Sequence, residues 1–131
     1  MSDLQLYCDV PADANLVFQS WMHSYTQGDI TQALAKIDPR VEGVFELWNA
    51  AVTGQFLEID APRKIRMTWR TVEFEEWMPP SIVRLEFQQR THGSRFVVTH
   101  EMIPHPMLGQ FTFAWKDVYM PNLQLYFAQR G

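Results

Sequence analysis

His100 is the polar side chain best placed for chemistry. It shares a strand with Phe96, Val98 and Met102 at alternate positions, so its imidazole points to the side that those apolar residues bury. An imidazole inside an apolar cavity can fix a polar group of a ligand or donate a proton. The same position also suits a neutral histidine bonded only to the backbone or to Tyr119, because burial disfavours the charged form. Tyr119 and Tyr126 are the hydroxyls that could join His100 in acid–base work. The segment from His100 through Glu101 to His105 superficially resembles a zinc-protease helix. That motif needs histidines at i and i+4 of one helix; here they are five apart with Pro104 between them. Strand alternation also sends Glu101 to the face opposite His100. No metal site and no cofactor are expected.

Other polar groups offer less. Cys8, the lone cysteine, is in phase with buried neighbours and reads as an inert thiol that forms no internal disulfide. Arg66 and Arg70 alternate with Ile65, Met67 and Trp69, which assigns them to the solvated face of a strand. Glu73, Glu75 and Glu76, interleaved with Phe74 and Trp77, form either a solvated connection or a lid or partner-binding edge. No Ser/His/Asp set, phosphate-cradling glycine loop or carboxylate pair is present, so no catalytic residue is assigned.

The apolar side is richer. Trp21, Phe45, Trp69, Phe87, Val98, Phe111, Trp115 and Tyr119, together with His100, are the candidate ligand-binding residues lining a cavity. Ring-rich walls suit apolar or aromatic ligands. Each ring buries roughly 150–250 Å², so the same side chains can instead fill the core completely.

The elements that must position these residues follow from periodicity. Leu4, Leu6, Cys8 and Val10 mark a first strand, which Pro11 ends. Asp13 caps a helix over residues 14–23, with Leu16, Val17, Phe18, Trp21 and Met22 largely on one side. Gly28 breaks it, and residues 29–36 read as a second short helix. Residues 41–48 and 51–60 follow as two strands around a turn near Asn49, with Gly54 marking a bend or a close backbone approach. Ile65, Met67 and Trp69 define the next strand. After an irregular connection over 71–80, Val83, Leu85 and Phe87 form another. His92-Gly93 turns the chain into the strand of Phe96, Val98, His100 and Met102. Pro104, Pro106 and Gly109 link it to a long helix over residues 111–129, whose interior Pro121 predicts a kink. One strand, two helices, five antiparallel strands and a final helix define an α+β domain with six strands.

Bulk properties narrow the function. With 131 residues, 47% hydrophobic and 20% charged, the chain suits a single domain spanning residues 1–131 and is too apolar for disorder. The formal charge of −4 and the absence of clustered Lys and Arg argue against nucleic-acid binding. No run reaches the roughly 18 apolar residues of a membrane span. The first ten residues lack a secretory pattern, and a soluble cytoplasmic protein is the expectation.

An ordered series of segments resembles the family of homologues of the activator of the heat-shock protein 90 ATPase, within the START and birch-pollen-allergen-like (SRPBCC) superfamily. The series comprises Val10-Pro11-Ala12 with Val17-Phe18, Asp38-Pro39-Arg40 with Gly43-Val44-Phe45, and Gly54-Gln55-Phe56-Leu57-Glu58-Ile59. It continues with Pro62-Arg63-Lys64-Ile65, Thr68-Trp69-Arg70, Thr99-His100-Glu101 and the aromatic last helix. The resemblance implies a helix-grip fold, a curved sheet around the C-terminal helix with a pocket between them. It implies no single activity. Three readings stand open: a non-catalytic module for a small hydrophobic ligand or lipid, a protein-interaction module docking through Phe74, Trp77 and Met78, and a cyclase- or hydratase-type enzyme using His100. Homodimer formation through sheet edges or aromatic patches is compatible with each.

Overall fold

The computed structural model describes residues 1–130. Strand β1 (Ser2–Val10) leads into helices α1 (Ala14–Met22) and α2 (Ser24–Thr31). Strands β2 (Lys36–Ile37), β3 (Val44–Leu47), β4 (Val52–Asp60), β5 (Lys64–Thr71), β6 (Ser81–Gln89) and β7 (Ser94–Ile103) follow. A short 3-10 turn (His105–Met107) starts the C-terminal helix, which runs as α3 (Leu108–Phe113), a π-helical segment (Ala114–Tyr119) and α4 (Met120–Arg130). All strands join one antiparallel sheet in the order β1-β7-β6-β5-β4-β3-β2.

The sheet therefore has seven strands, not six. The extra one is β2, two residues paired with β3 through Lys36↔Glu46 and Ile37↔Phe45, too short to show a period. Its residues Lys36 and Ile37 lie at and just beyond the end of the expected second helix, which instead occupies Ser24–Thr31. His23, in extended conformation, separates α1 from α2, and its ring accepts the Thr26 N–H as an N-cap. Gly28 lies inside α2 rather than breaking it. A β-carbon there would sit 3.1 Å from the Ala33 carbonyl, so the glycine admits the returning chain. The expected helix cap holds: Asp13 accepts the Leu16 N–H at 3.0 Å.

Strand β7 departs from simple alternation near its end. Ser2 pairs with Ile103 but Leu4 with His100, so β7 carries one extra residue, and Met102 takes φ +61°. Such a bulge reverses the facing of the residues beyond it. Met102, expected on the inner face, is 41% exposed, and Ile103 is buried in its place.

The C-terminal helix buries Phe111, Trp115, Tyr119, Leu123 and Phe127 at a four-residue spacing, with Met120 buried beside Tyr119. At 3.6 residues per turn that stripe would drift about 40° at each step. The π segment, with its wider i→i+5 turn, offsets the drift and keeps the stripe on the sheet. The Met120 N–H reaches back to the Trp115 carbonyl, and Pro121, which lacks an N–H, follows at once. Pro121 lies in the first turn of α4, directly after the π segment.

Gly54 sits opposite Phe45 across β3 and β4. An added β-carbon would lie 2.1 Å from the Thr68 carbonyl and 2.4 Å from the Phe45 ring. Gly54→Ala is expected to destabilise by about 2–3 kcal/mol through overpacking, read as a lowered urea midpoint with unchanged slope.

Candidate functional site

The inner face of the sheet carries Phe56, Ile65, Met67, Trp69, Val83, Leu85, Phe87, Phe96, Val98 and His100, all buried. Trp69 pairs with Ser81, and Val83 with His100, which brings an indole, a hydroxyl and an imidazole side by side under the C-terminal helix. The Ser81 hydroxyl donates to the Trp69 carbonyl at 3.0 Å. Its oxygen must then accept from His100 Nε2, 2.7 Å away. From the helix, Trp115 Nε1–H donates to His100 Nδ1 at 3.1 Å. This chain of donors assigns a neutral imidazole with its proton on Nε2.

The His100 side chain is fully buried, stacked on Phe111 at 4.9 Å and edge-on to Trp69 and Trp115. Burial among these rings pushes its pKa down to about 3. A second proton would have to enter at Nδ1, where Trp115 already donates. The Tyr119 hydroxyl, whose pKa burial drives upward, donates to Gln27 Oε1 at 2.8 Å and does not reach His100. Cys8 is free and half-buried, its thiol pushed up to about 12 by burial and by neighbouring Asp9. Among the described residues no group of three His, Cys, Asp or Glu could hold a metal ion.

A cavity of about 400 Å³ opens beside this network, between the ends of β4 and β5 and the α3–π stretch of the last helix. Its aromatic walls are Trp48, Trp69, Phe111, Phe113 and Trp115. Val52, Ala114 and Val118 add aliphatic surface, and Thr71, Glu73 and Gln110 supply the polar atoms. Of the nine residues selected from the sequence, Trp69, Phe111 and Trp115 line this cavity. Trp21, Phe45, Val98, His100 and Tyr119 are buried in the core behind them, and Phe87 is buried towards the far end of β6 against Phe18 and Phe96.

Sequence reasoning missed Trp48, Val52, Thr71, Phe113 and Val118. Trp48 begins three consecutive left-handed residues, Trp48, Asn49 and Ala50, a turn held by two Asn49 bonds to the backbone of Leu34. That turn carries the indole off the β3 alternation and against Tyr119. The Trp48-Asn49 pair was a signal for a turn but not for its inward ring.

The connection after β5 is built on Arg70, which was expected on the solvated face. Its guanidinium donates to the carbonyls of Met78 and Glu75 and sits over the Phe74 ring. Arg66, by contrast, stays on the outer face beside Glu58. Phe74, which the protein-interaction reading would place in an exposed patch with Trp77 and Met78, is buried and stacked on Phe111. Trp77 is 76% exposed. A further groove of about 500 Å³ lies between α1 and α4, lined by Leu16, His23, Tyr126 and Arg130 among others. None of its lining residues comes from a strand, and it does not meet the His100 network.

A large antiparallel sheet packed on a C-terminal helix, with a ring-walled recess between them, defines an α+β protein of the helix-grip class. The chain belongs to the family of activator of Hsp90 ATPase homolog 1-like proteins, whose sequence pattern matches residues 11–128. Among solved structures it is similar to an HSP90 activator from Plasmodium falciparum, with a TM-score of 0.90 and 22% identity over 98% of this chain and 97% of that one. It is also similar to CalU16 from Micromonospora echinospora, with a TM-score of 0.80 and 19% identity over 98% and 77% of the two chains. A protein from Mesorhizobium loti gives 0.83 and 9% over 99% of each. At these identities the likeness defines the fold. No curated relative matches the sequence. No helix among the described residues is long and apolar enough to cross a membrane.

The buried imidazole sets a pH dependence. Unfolded, His100 titrates near 6.5; folded, near 3. Between these values the unfolded chain binds a proton that the native state refuses, so this contribution is complete above pH 6.5 and is lost as pH falls towards 3. Wild type should lose about 1.4 kcal/mol per pH unit through the middle of that window relative to His100→Gln, measured by urea unfolding from pH 7 to 4. A flat difference would show that the imidazole is not held neutral.

Proposed function

We propose that this protein is a non-catalytic binding module that takes a small hydrophobic molecule, a lipid or flat aromatic compound, into the cavity between β4, β5 and the α3–π segment. The observation that carries the reading is a 400 Å³ recess walled by five rings, within the volume range of small-molecule sites. Trp69, Phe111 and Trp115 form its inner wall, and Trp48 and Phe113 flank them. His100 acts as a brace behind Phe111. Both its nitrogens are occupied by protein partners, which argues against acid–base work and so against the cyclase reading. Of the remaining candidates, Trp21, Phe45, Val98 and Tyr119 support the wall from the core, while Phe87 packs against Phe18 and Phe96 away from it.

The family name and the exposure of Val72, Trp77 and Phe113 favour a second reading, in which the cavity mouth is a docking face for a protein partner. Native mass spectrometry of the purified protein, then thermal-shift titration with fatty alcohols, sterols and flat aromatics, separates the two. The binding-module reading expects a midpoint that rises with ligand concentration, reaching about 2.7 kcal/mol of stabilisation at 100 times Kd. Ala114→Trp, which fills the recess from the helix side, should weaken that ligand at least tenfold. An apo mass with no shift from any compound would instead favour partner docking.

A further inference from the structure

Given the ligand reading of the cavity, on which this inference rests, the lining also selects the head group of the ligand. Glu73 is the one charged residue in that lining, and no Lys, Arg or His lines it. The nearest cation in sequence, Arg70, is committed to the carbonyls of Met78 and Glu75. His100 is neutral and lies behind Phe111. Glu73 stands at the open side beside exposed Val72, and its Oε1 accepts from Gln110 Nε2 at 3.2 Å, which fixes the carboxylate against α3. The Thr71 hydroxyl is buried in the same lining and has no hydrogen-bond partner. A buried polar atom left unpaired is a standing cost that a ligand donor or acceptor would relieve.

Five aromatic rings line the same recess. Their faces carry the negative end of the ring quadrupole and attract cations. Ring faces and a carboxylate at the mouth therefore act with one sign, and the orphan hydroxyl can accept from a cationic donor. A fatty-acid carboxylate could take a hydrogen bond from the Thr71 hydroxyl but would face Glu73 and the ring faces with no basic partner. We propose that the ligand is a hydrophobic primary amine, bound with its alkyl or aryl body against the rings. Its ammonium group sits at the mouth between Glu73 and the Thr71 hydroxyl.

Three probes of one chain length separate the head group from the body: decylamine, 1-decanol and decanoate, each below its micellar concentration at pH 7. Affinities are read by calorimetry and by tryptophan fluorescence. Decylamine should bind about three- to tenfold more tightly than decanol, since a partly exposed carboxylate is screened, and decanoate should be weakest. Raising the salt concentration should narrow the gap. Glu73→Gln should bring decylamine to within about twofold of decanol measured on the same variant, and Glu73→Lys should turn the preference towards decanoate. Decanol binding with decanoate equal to or tighter than decylamine would overturn the inference but leave the cavity reading intact. So would an amine preference that survives Glu73→Gln. Binding by none of the three would remove both.

Discussion

The seating of the C-terminal helix on the sheet is the constraint on which the rest of the structure depends. It is made mainly by rings, Phe111, Trp115, Tyr119 and Phe127 with Leu123, which supply area but little orientation. Direction comes from one polar thread: Trp115 donates to His100, His100 to Ser81, and Ser81 to the Trp69 carbonyl. Each donor in that thread has one partner, so shifting the helix by a turn would strand buried polar atoms. The π segment belongs to the same constraint. A stripe repeating every four residues stays on one line only if the helix is locally widened, and that places Trp115 over His100 and Tyr119 over Gln27.

The cavity is a by-product of this seating. Where α3 meets the π segment, Phe111 and Trp115 reach the sheet while Ala114 and Val118 face the recess with little bulk. The sheet side withdraws too, because β4 begins and β5 ends there and Trp48 closes the edge from its left-handed turn. On the loop side, Arg70 folds the connection back on itself and lays Phe74 on Phe111. The recess is thus walled by elements whose positions are fixed by bonds made elsewhere.

Much of this was legible in the residues. Period-two runs located β1 and β4 to β7, and the Asp13 cap located α1, because each rests on a local pattern repeated several times. The inward facing of His100 and of the ring set followed from alternation. Two residues of β2 carry no period, so the seventh strand was invisible. Met102 was misplaced because a bulge depends on pairing with β1 rather than on the β7 sequence. Arg70 looked solvated because alternation says nothing about carbonyls that a loop brings back to it. Which rings would line space and which would fill it was the least readable part. That difference depends on the helix position to within a few ångströms, whereas residue class and strand alternation are the same for Phe45, which fills the core, and Trp69, which lines the recess. The four-residue spacing from Phe111 to Phe127 was present in the sequence but reads as ordinary helical spacing with a kink at Pro121, so the π segment was not foreseen.

The five tryptophans offer the most direct test of the cavity as a ligand site, since they fall in three different environments. Indole N–H resonances of ¹⁵N-labelled protein, followed during titration with 1-decanol, report each one separately. Binding in the recess should move Trp48, Trp69 and Trp115 and leave buried Trp21 and exposed Trp77 in place. Movement confined to Trp77, or no movement at concentrations approaching decanol saturation, would contradict the account.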